Sequence, residues 1–179
     1  MIRGESQRMA RTLDLLLDLV GLAAGAGEFE REPVAVAPLL RRQMRMVHER
    51  HPRLRLIEEF GADLLIDSDA DRIAQVVSNL LENAAKYAGE TACVTVRTSI
   101  RRDRMHIEVQ DDGPGIPADQ QRAVFDRRYR GHSAGTNGLG LGLYLSRMIA
   151  VRLGGSLTVR STSGEGATFI LALPVAVTD

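Results

Sequence analysis

Tryptophan is absent from this 179-residue chain, cysteine and lysine occur once each, and the formal charge sums to zero. The lone Cys93 can close no internal disulfide and build no cysteine metal cluster, so the composition points to a reducing, cytoplasmic compartment. A balanced charge argues against a nucleic-acid surface. No apolar run approaches the roughly 20 residues that a membrane-spanning helix needs. The longest apolar-rich stretch, Leu13 to Ala24, is interrupted by Asp14 and Asp18. A cleavable leader pattern is missing too. The lack of tryptophan excludes nothing functional. What remains, 44% hydrophobic and 26% charged residues, suits a globular domain that buries one core. Neither a nucleic-acid partner nor direct membrane contact is expected.

Lysine usage carries more. Lys86 stands alone among 23 basic residues, every other one being Arg. One reading is chance at an exposed helix position; the other is a compact ammonium that approaches a polyphosphate as a point charge.

Residues 5 to 24 read as a helix with Met9, Leu13, Leu16 and Val20 on one seam, as in a coiled coil or helical hairpin, or as an ordinary packing helix. Gly25 and Gly27 end it, and residues 28–32 form a short charged linker. From Pro33 to the end, strands and helices alternate. Strands are expected at 34–36, 53–59, 63–66, 93–100, 105–110, 156–160 and 167–173, and helices at 38–49, 70–87, 118–125 and 139–153, with Asp69 as N-cap of the second. Residues 127–137 are an irregular, glycine-bearing segment. The pattern predicts an α+β domain, a two-layer α/β sandwich with helices on one side of a mixed sheet.

Three segments carry chemistry. The first is Asn79-Leu-Leu-Glu-Asn83-Ala-Ala-Lys86-Tyr87. At about 100° per residue, Ile73, Val76, Val77, Leu80, Leu81 and Ala84 share an arc of roughly 140°, and Asn79, Asn83 and Lys86 cluster within about 60° beside it. One helix thus offers a core face and a polar stripe. Amide oxygens are hard, neutral ligands suited to Mg²⁺ whose charge is mostly answered by phosphate and water; the alternative is helix-face amides bonded to neighbouring loops. Glu82 has two readings, an i to i+4 ion pair with Lys86 or a general base. The second segment, Asp111-Asp-Gly113-Pro-Gly115, ends an alternating strand. A carboxylate there can accept the exocyclic amine of adenine, where guanine presents an acceptor, and glycines let the backbone come close. In the third, Gly138-Leu139-Gly140-Leu141-Gly142 opens a helix, so free amides and the positive end of the helix dipole face a polyphosphate. The alternating glycines are no dinucleotide fingerprint, and without Gly-Lys-Ser or Gly-Lys-Thr this is no P-loop.

In this order the segments resemble the asparagine box and two glycine boxes of the ATP-binding domain of sensor histidine kinases. That domain belongs to a superfamily with type II topoisomerases, mismatch-repair ATPases and a heat-shock chaperone. Asp69-Ala-Asp-Arg72-Ile-Ala-Gln75 before the first box, and Gly154-Gly155-Ser-Leu-Thr-Val and Gly164-Glu-Gly166-Ala-Thr168-Phe169 after the last, extend the likeness to roughly residues 30 to 175. It implies the Bergerat-type ATP-binding fold with a mixed, mostly antiparallel sheet and a preceding short helix. It also implies ATP and Mg²⁺ as cofactors, with Asn83 the principal metal ligand, Asn79 supporting metal or phosphate, and Lys86 and Tyr87 at the phosphate or ribose. Asp111 becomes the adenine reader. Thr168 becomes the hydroxyl that supports it, or else a plain strand residue. Val124-Phe125-Asp-Arg-Arg128-Tyr129-Arg130 resembles the phenylalanine box, with Arg128 where the family has a second aromatic, and leads into a lid from which Arg130 could reach the γ-phosphate. Hydrolytic relatives carry Glu at the position of Asn79; an amide cannot take a proton from water, so efficient hydrolysis is not expected.

The resemblance further implies that residues 1–27 end a dimerisation hairpin, that 33–179 are the catalytic domain, and that the parent is a homodimer. The hairpin's phosphoacceptor histidine, a response regulator and, for the parent, anchorage in the bacterial inner membrane complete the implied system. His48-Glu49-Arg50-His51-Pro52 looks like an acceptor motif, but Pro comes one residue early and the segment lies inside the catalytic domain. Two other readings fit the same boxes, a nucleotide-sensing module that transfers nothing and a serine kinase that regulates a sigma factor.

Overall fold

The computed structural model describes residues 17, 20–21, 29–61, 65–127 and 140–175. Arg130, Gly138, Leu139, the lid around them and most of the expected N-terminal helix lie outside these. Leu17, Val20 and Gly21 are helical, Leu17 and Val20 with exposed side chains.

Glu32, expected in the linker, already belongs to the first strand, β1 (Glu32–Ala35), which pairs antiparallel with β3 (Leu65–Ser68) as a separate two-stranded sheet. Phe29, also expected in the linker, packs against the core, with the Arg72 and Arg152 guanidinium carbons 5.5 and 4.7 Å from its ring centre. Between β1 and β3 come α1 (Val36–Arg50) and β2 (Arg55–Phe60). α1 buries Val36, Leu40, Met44 and Val47, spaced by four, four and three, the period of a one-faced helix.

The main sheet has the order β2-β4-β5-β7-β6, with β4 (Cys93–Arg101), β5 (Arg104–Asp111), β6 (Ser156–Ser161) and β7 (Ala167–Pro174). Among the described residues β2 and β4 alone pair in parallel, and the other pairs are antiparallel. In β5 the alternation of Met105, Ile107 and Val109 with His106, Glu108 and Gln110 sends the odd positions into the core. The even positions share the opposite face with ion pairs such as Arg101 and Arg160 to Glu108. The β4–β5 hairpin closes through Arg102 and Asp103, both at positive φ, as a two-residue turn of this twist demands.

α2 (Ala70–Tyr87) and α3 (Gly142–Arg152) cover the core face together with α1, giving the expected layers. Asp69 caps α2 by accepting the Arg72 backbone N–H at 2.9 Å. The arc drawn from sequence is the buried one: Ile73, Val76, Val77, Leu80, Leu81 and Ala84, with Ala85 added. Two helices are shorter than expected. Over residues 118–125 only a 3₁₀ turn, Ala123–Phe125, forms, and the Gln121 side chain donates to the carbonyls of Ile116 and Ser161. α3 starts at Gly142 rather than residue 139, since Gly140 sits at φ +66°, outside the helical region.

Candidate nucleotide-binding site

Three elements converge: the polar stripe of α2, the carboxyl end of β5 and the first turn of α3. Asn79 joins two of them. Its Nδ2 donates to the Ser146 hydroxyl on α3 at 3.0 Å. Its Oδ1 lies so near the start of α3 that a Cβ on Gly142 would overlap it and stand 3.1 Å from Cγ. Only a glycine lets these helices meet here. Among the described residues no side chain caps α3, and its first-turn amides point out of the N-terminus beside Asn79. One turn along, the Asn83 Nδ2 is buried without a hydrogen-bond partner among the described residues. A buried polar atom left unsatisfied costs about 1–3 kcal/mol.

Lys86 is exposed, with Nζ 3.2 Å from the Tyr87 hydroxyl and 4.8 Å from its ring centre. The anticipated ion pair from Glu82 to Lys86 is not formed. Glu82 reaches the C-terminus of α1 instead, with Arg50 at 2.6 Å on Oε1 and His51 Nε2 at 2.9 Å on Oε2. Both oxygens are engaged, and the carboxylate fastens α1 to α2. His51, part of the apparent acceptor motif, serves the same tie.

Asp111 ends β5 on its core-facing side. Its Oδ1 accepts the backbone N–H groups of Gly113 at 2.9 Å and Ala167 at 3.3 Å, while no described residue donates to Oδ2. Burial pushes the carboxyl above the usual carboxylate range, against the pull of those two amides, and Asp112 adds to the upward push. Asp112 itself is exposed and accepts the Cys93 N–H at 2.9 Å. The expected contact from Thr168 is corrected by register: Thr168 is paired with Gln110, and Ala167 with Asp111. Successive strand residues face opposite sides, so the Thr168 hydroxyl lies on the open face and the residue beside Asp111 has no hydroxyl. Gly115 follows in the loop between β5 and the 3₁₀ turn. There Ser161 Oγ accepts the Ile116 N–H at 2.7 Å and fixes this wall of the site against β6.

Sequence reasoning missed Ser146. It is 2% exposed, and its partner lies on another helix, so spacing within α3 carries no signal of it. Among the described residues no three His, Cys, Asp or Glu side chains gather into a metal site. A cation here would rest on asparagine amides and on the nucleotide.

The family model described as "Histidine kinase-, DNA gyrase B-, and HSP90-like ATPase" matches residues 68–177. The chain is 32% identical over 181 residues to the sensor histidine kinase WalK of Bacillus subtilis (strain 168), covering 96% of this chain and 29% of that one. Among solved structures, the mycobacterial sensor histidine kinase MprB superposes with a TM-score of 0.74 at 27% identity, over 80% of this chain and 98% of that one. Full-length ShkA in complex with AMPPNP gives 0.80 at 28% identity, over 93% of this chain and 36% of that one. The chain thus spans less than a third of the length of the curated relatives it matches. Among the described residues no helix is long and apolar enough to cross a membrane. With α2, the Asp111 turn and α3 all inside the matched residues, the chain belongs to the histidine kinase-, DNA gyrase B- and HSP90-like ATPase family, as the ATP-binding catalytic domain of a sensor histidine kinase.

Proposed function

We propose that this domain binds Mg-ATP between α2 and α3 and donates the γ-phosphoryl group to a histidine on a dimerisation hairpin of the same protein, for transfer to a response regulator. The observation that carries the reading is the meeting of Asn79 with the uncapped start of α3 beside the unsatisfied Asn83 amide. Magnesium takes oxygen ligands; the Asn79 oxygen lies at the start of α3, and rotation of the Asn83 amide, whose Nδ2 has no described partner, would present a second one. When bound, the ion would neutralise phosphate charge.

The remaining roles belong to the chain itself. Asp111 reads adenine through Oδ2, Lys86 and Tyr87 lie at the open end of the stripe to meet phosphate or ribose, and the α3 amides hold the polyphosphate. Gly138, Leu139 and Arg130, outside the described residues, are assigned to the phosphate by the resemblance alone. Asn79 cannot activate water and both Glu82 oxygens are occupied, which favours transfer over hydrolysis. Positioning and charge stabilisation are what phosphoryl transfer asks of a protein.

Asn83→Ala is expected to retain the fold and lose most of the Mg²⁺-dependent increment in affinity for a non-hydrolysable ATP analogue, measured by calorimetry with Mg²⁺ and with EDTA. Equal increments in both proteins would reject the metal role. Transfer is tested by adding a histidine-bearing hairpin from the parent kinase, tethered to the domain, and following label from γ-labelled ATP. Acid-labile label on the hairpin is the expected result; acid-stable label, or none with nucleotide bound, would refute it.

A further inference from the structure

We propose that Ser146 is a positioning residue for the nucleotide site: it receives the Asn79 amide nitrogen and so keeps the Asn79 oxygen turned toward the mouth of α3. The inference rests on the reading of the site just given and assigns a role to a side chain outside the three boxes.

An asparagine amide is nearly symmetric in shape, and rotating it by half a turn exchanges an acceptor for a donor at almost no steric cost. Its hydrogen-bond surroundings therefore decide which end a ligand meets. At Asn79 two neighbours act in the same sense. The N-terminus of α3 carries positive potential and favours the oxygen at Gly142. On the other side the Ser146 hydroxyl, 2% exposed and without another described partner, stands 3.0 Å from Nδ2 and offers it a lone pair. Because Ser146 sits four residues after Gly142, one turn of a single helix supplies both contacts. The arrangement presents an acceptor to the site, which suits a cation. With the Ser146 lone pair removed, Nδ2 has no partner there. Rotation then lets the nitrogen take the place of the oxygen, and a cation there loses an acceptor.

This gives Ser146 a readout that packing alone does not. Ser146→Ala is expected to reduce the Mg²⁺-dependent increment in ATP-analogue affinity about three- to tenfold, as loss of one hydrogen bond does. Affinity in EDTA should stay within about twofold of wild type by the same argument. Ser146→Thr, which keeps the hydroxyl, should restore the increment. In an Asn79→Ala background Ser146→Ala should change nothing further. In the nucleotide-free domain, the NMR signals of the Asn79 side-chain amide should move on Ser146→Ala while the backbone spectrum beyond α2 and α3 is retained. Loss of affinity to the same factor with and without Mg²⁺, or additivity with Asn79→Ala, would overturn the inference and leave Ser146 a packing residue. A wild type with no metal-dependent increment would overturn the site reading itself; a clear increment that Ser146→Ala keeps would overturn only the role of Ser146.

Discussion

Gly142→Ala is expected to abolish most nucleotide binding while leaving a folded domain. The added Cβ would overlap Asn79 Oδ1, so either the amide turns away or α3 retreats from α2. Forcing an extra carbon into a packed contact costs about 1–3 kcal/mol. At about 1.4 kcal/mol for each factor of ten, affinity should fall roughly ten- to a hundredfold. Helix formation does not suffer, because alanine is the better helix former. Circular dichroism should therefore match wild type while calorimetry with an ATP analogue shows the loss. The double variant with Asn79→Ala provides the internal check: once the amide is gone, the methyl has nothing to strike there, and affinity should be no worse than for Asn79→Ala alone. Wild-type affinity in Gly142→Ala would mean that the nucleotide does not use this junction.

Asp111→Asn should cost as much, for a different reason. A hydrogen bond to a charged group is worth about 1.5–3 kcal/mol, and the amide can present a donor where adenine needs an acceptor. A loss of about ten- to a hundredfold follows from the same conversion. The oxygen of the substituted amide could still accept the Gly113 and Ala167 N–H groups, so the turn survives; Asp112→Asn, altering an exposed carboxylate tied to Cys93, should bind nearly as wild type. pH supplies a second reading. Burial raises the Asp111 carboxyl, so the folded domain holds this proton to higher pH than the unfolded chain does. This group's contribution is then fully present below the unfolded value and is lost as pH rises through the folded one. Without nucleotide, Asp111→Asn should be stabilised relative to wild type at neutral pH, and the difference should vanish in acid. Denaturant titrations at the two pH values measure it. A constant gap between the proteins would refute the assigned cause. Greater sensitivity at Asp112 would move the adenine contact by one residue.

Much of this was legible because the controlling interactions are local. The α2 wheel, the Asp69 cap and the alternation in β5 depend on neighbours within one element, and sequence spacing reports those directly. Register between strands is different. Whether Ala167 or Thr168 faces Asp111 is set by how β7 lies on β5, a pairing across 56 residues that motif spacing does not encode. Glu82 shows the same limit: its neighbour by helix period is Lys86, but Arg50 and His51 arrive from another element with better geometry. Ser146 went unnoticed since its partner is 67 residues away. The shortened α3 was readable in principle, as Gly140 is the residue type that leaves helical φ most cheaply.

The solitary lysine makes the domain chemically addressable. Guanidinium groups resist acylation at neutral pH, so an amine-directed reagent meets a single side-chain amine, exposed on α2 and one residue from an exposed Tyr87. A fluorophore placed there needs no engineered cysteine once the more reactive terminal amine is blocked. The scarcity that first set this chain apart thus leaves one reporter position on the very helix that carries Asn79 and Asn83.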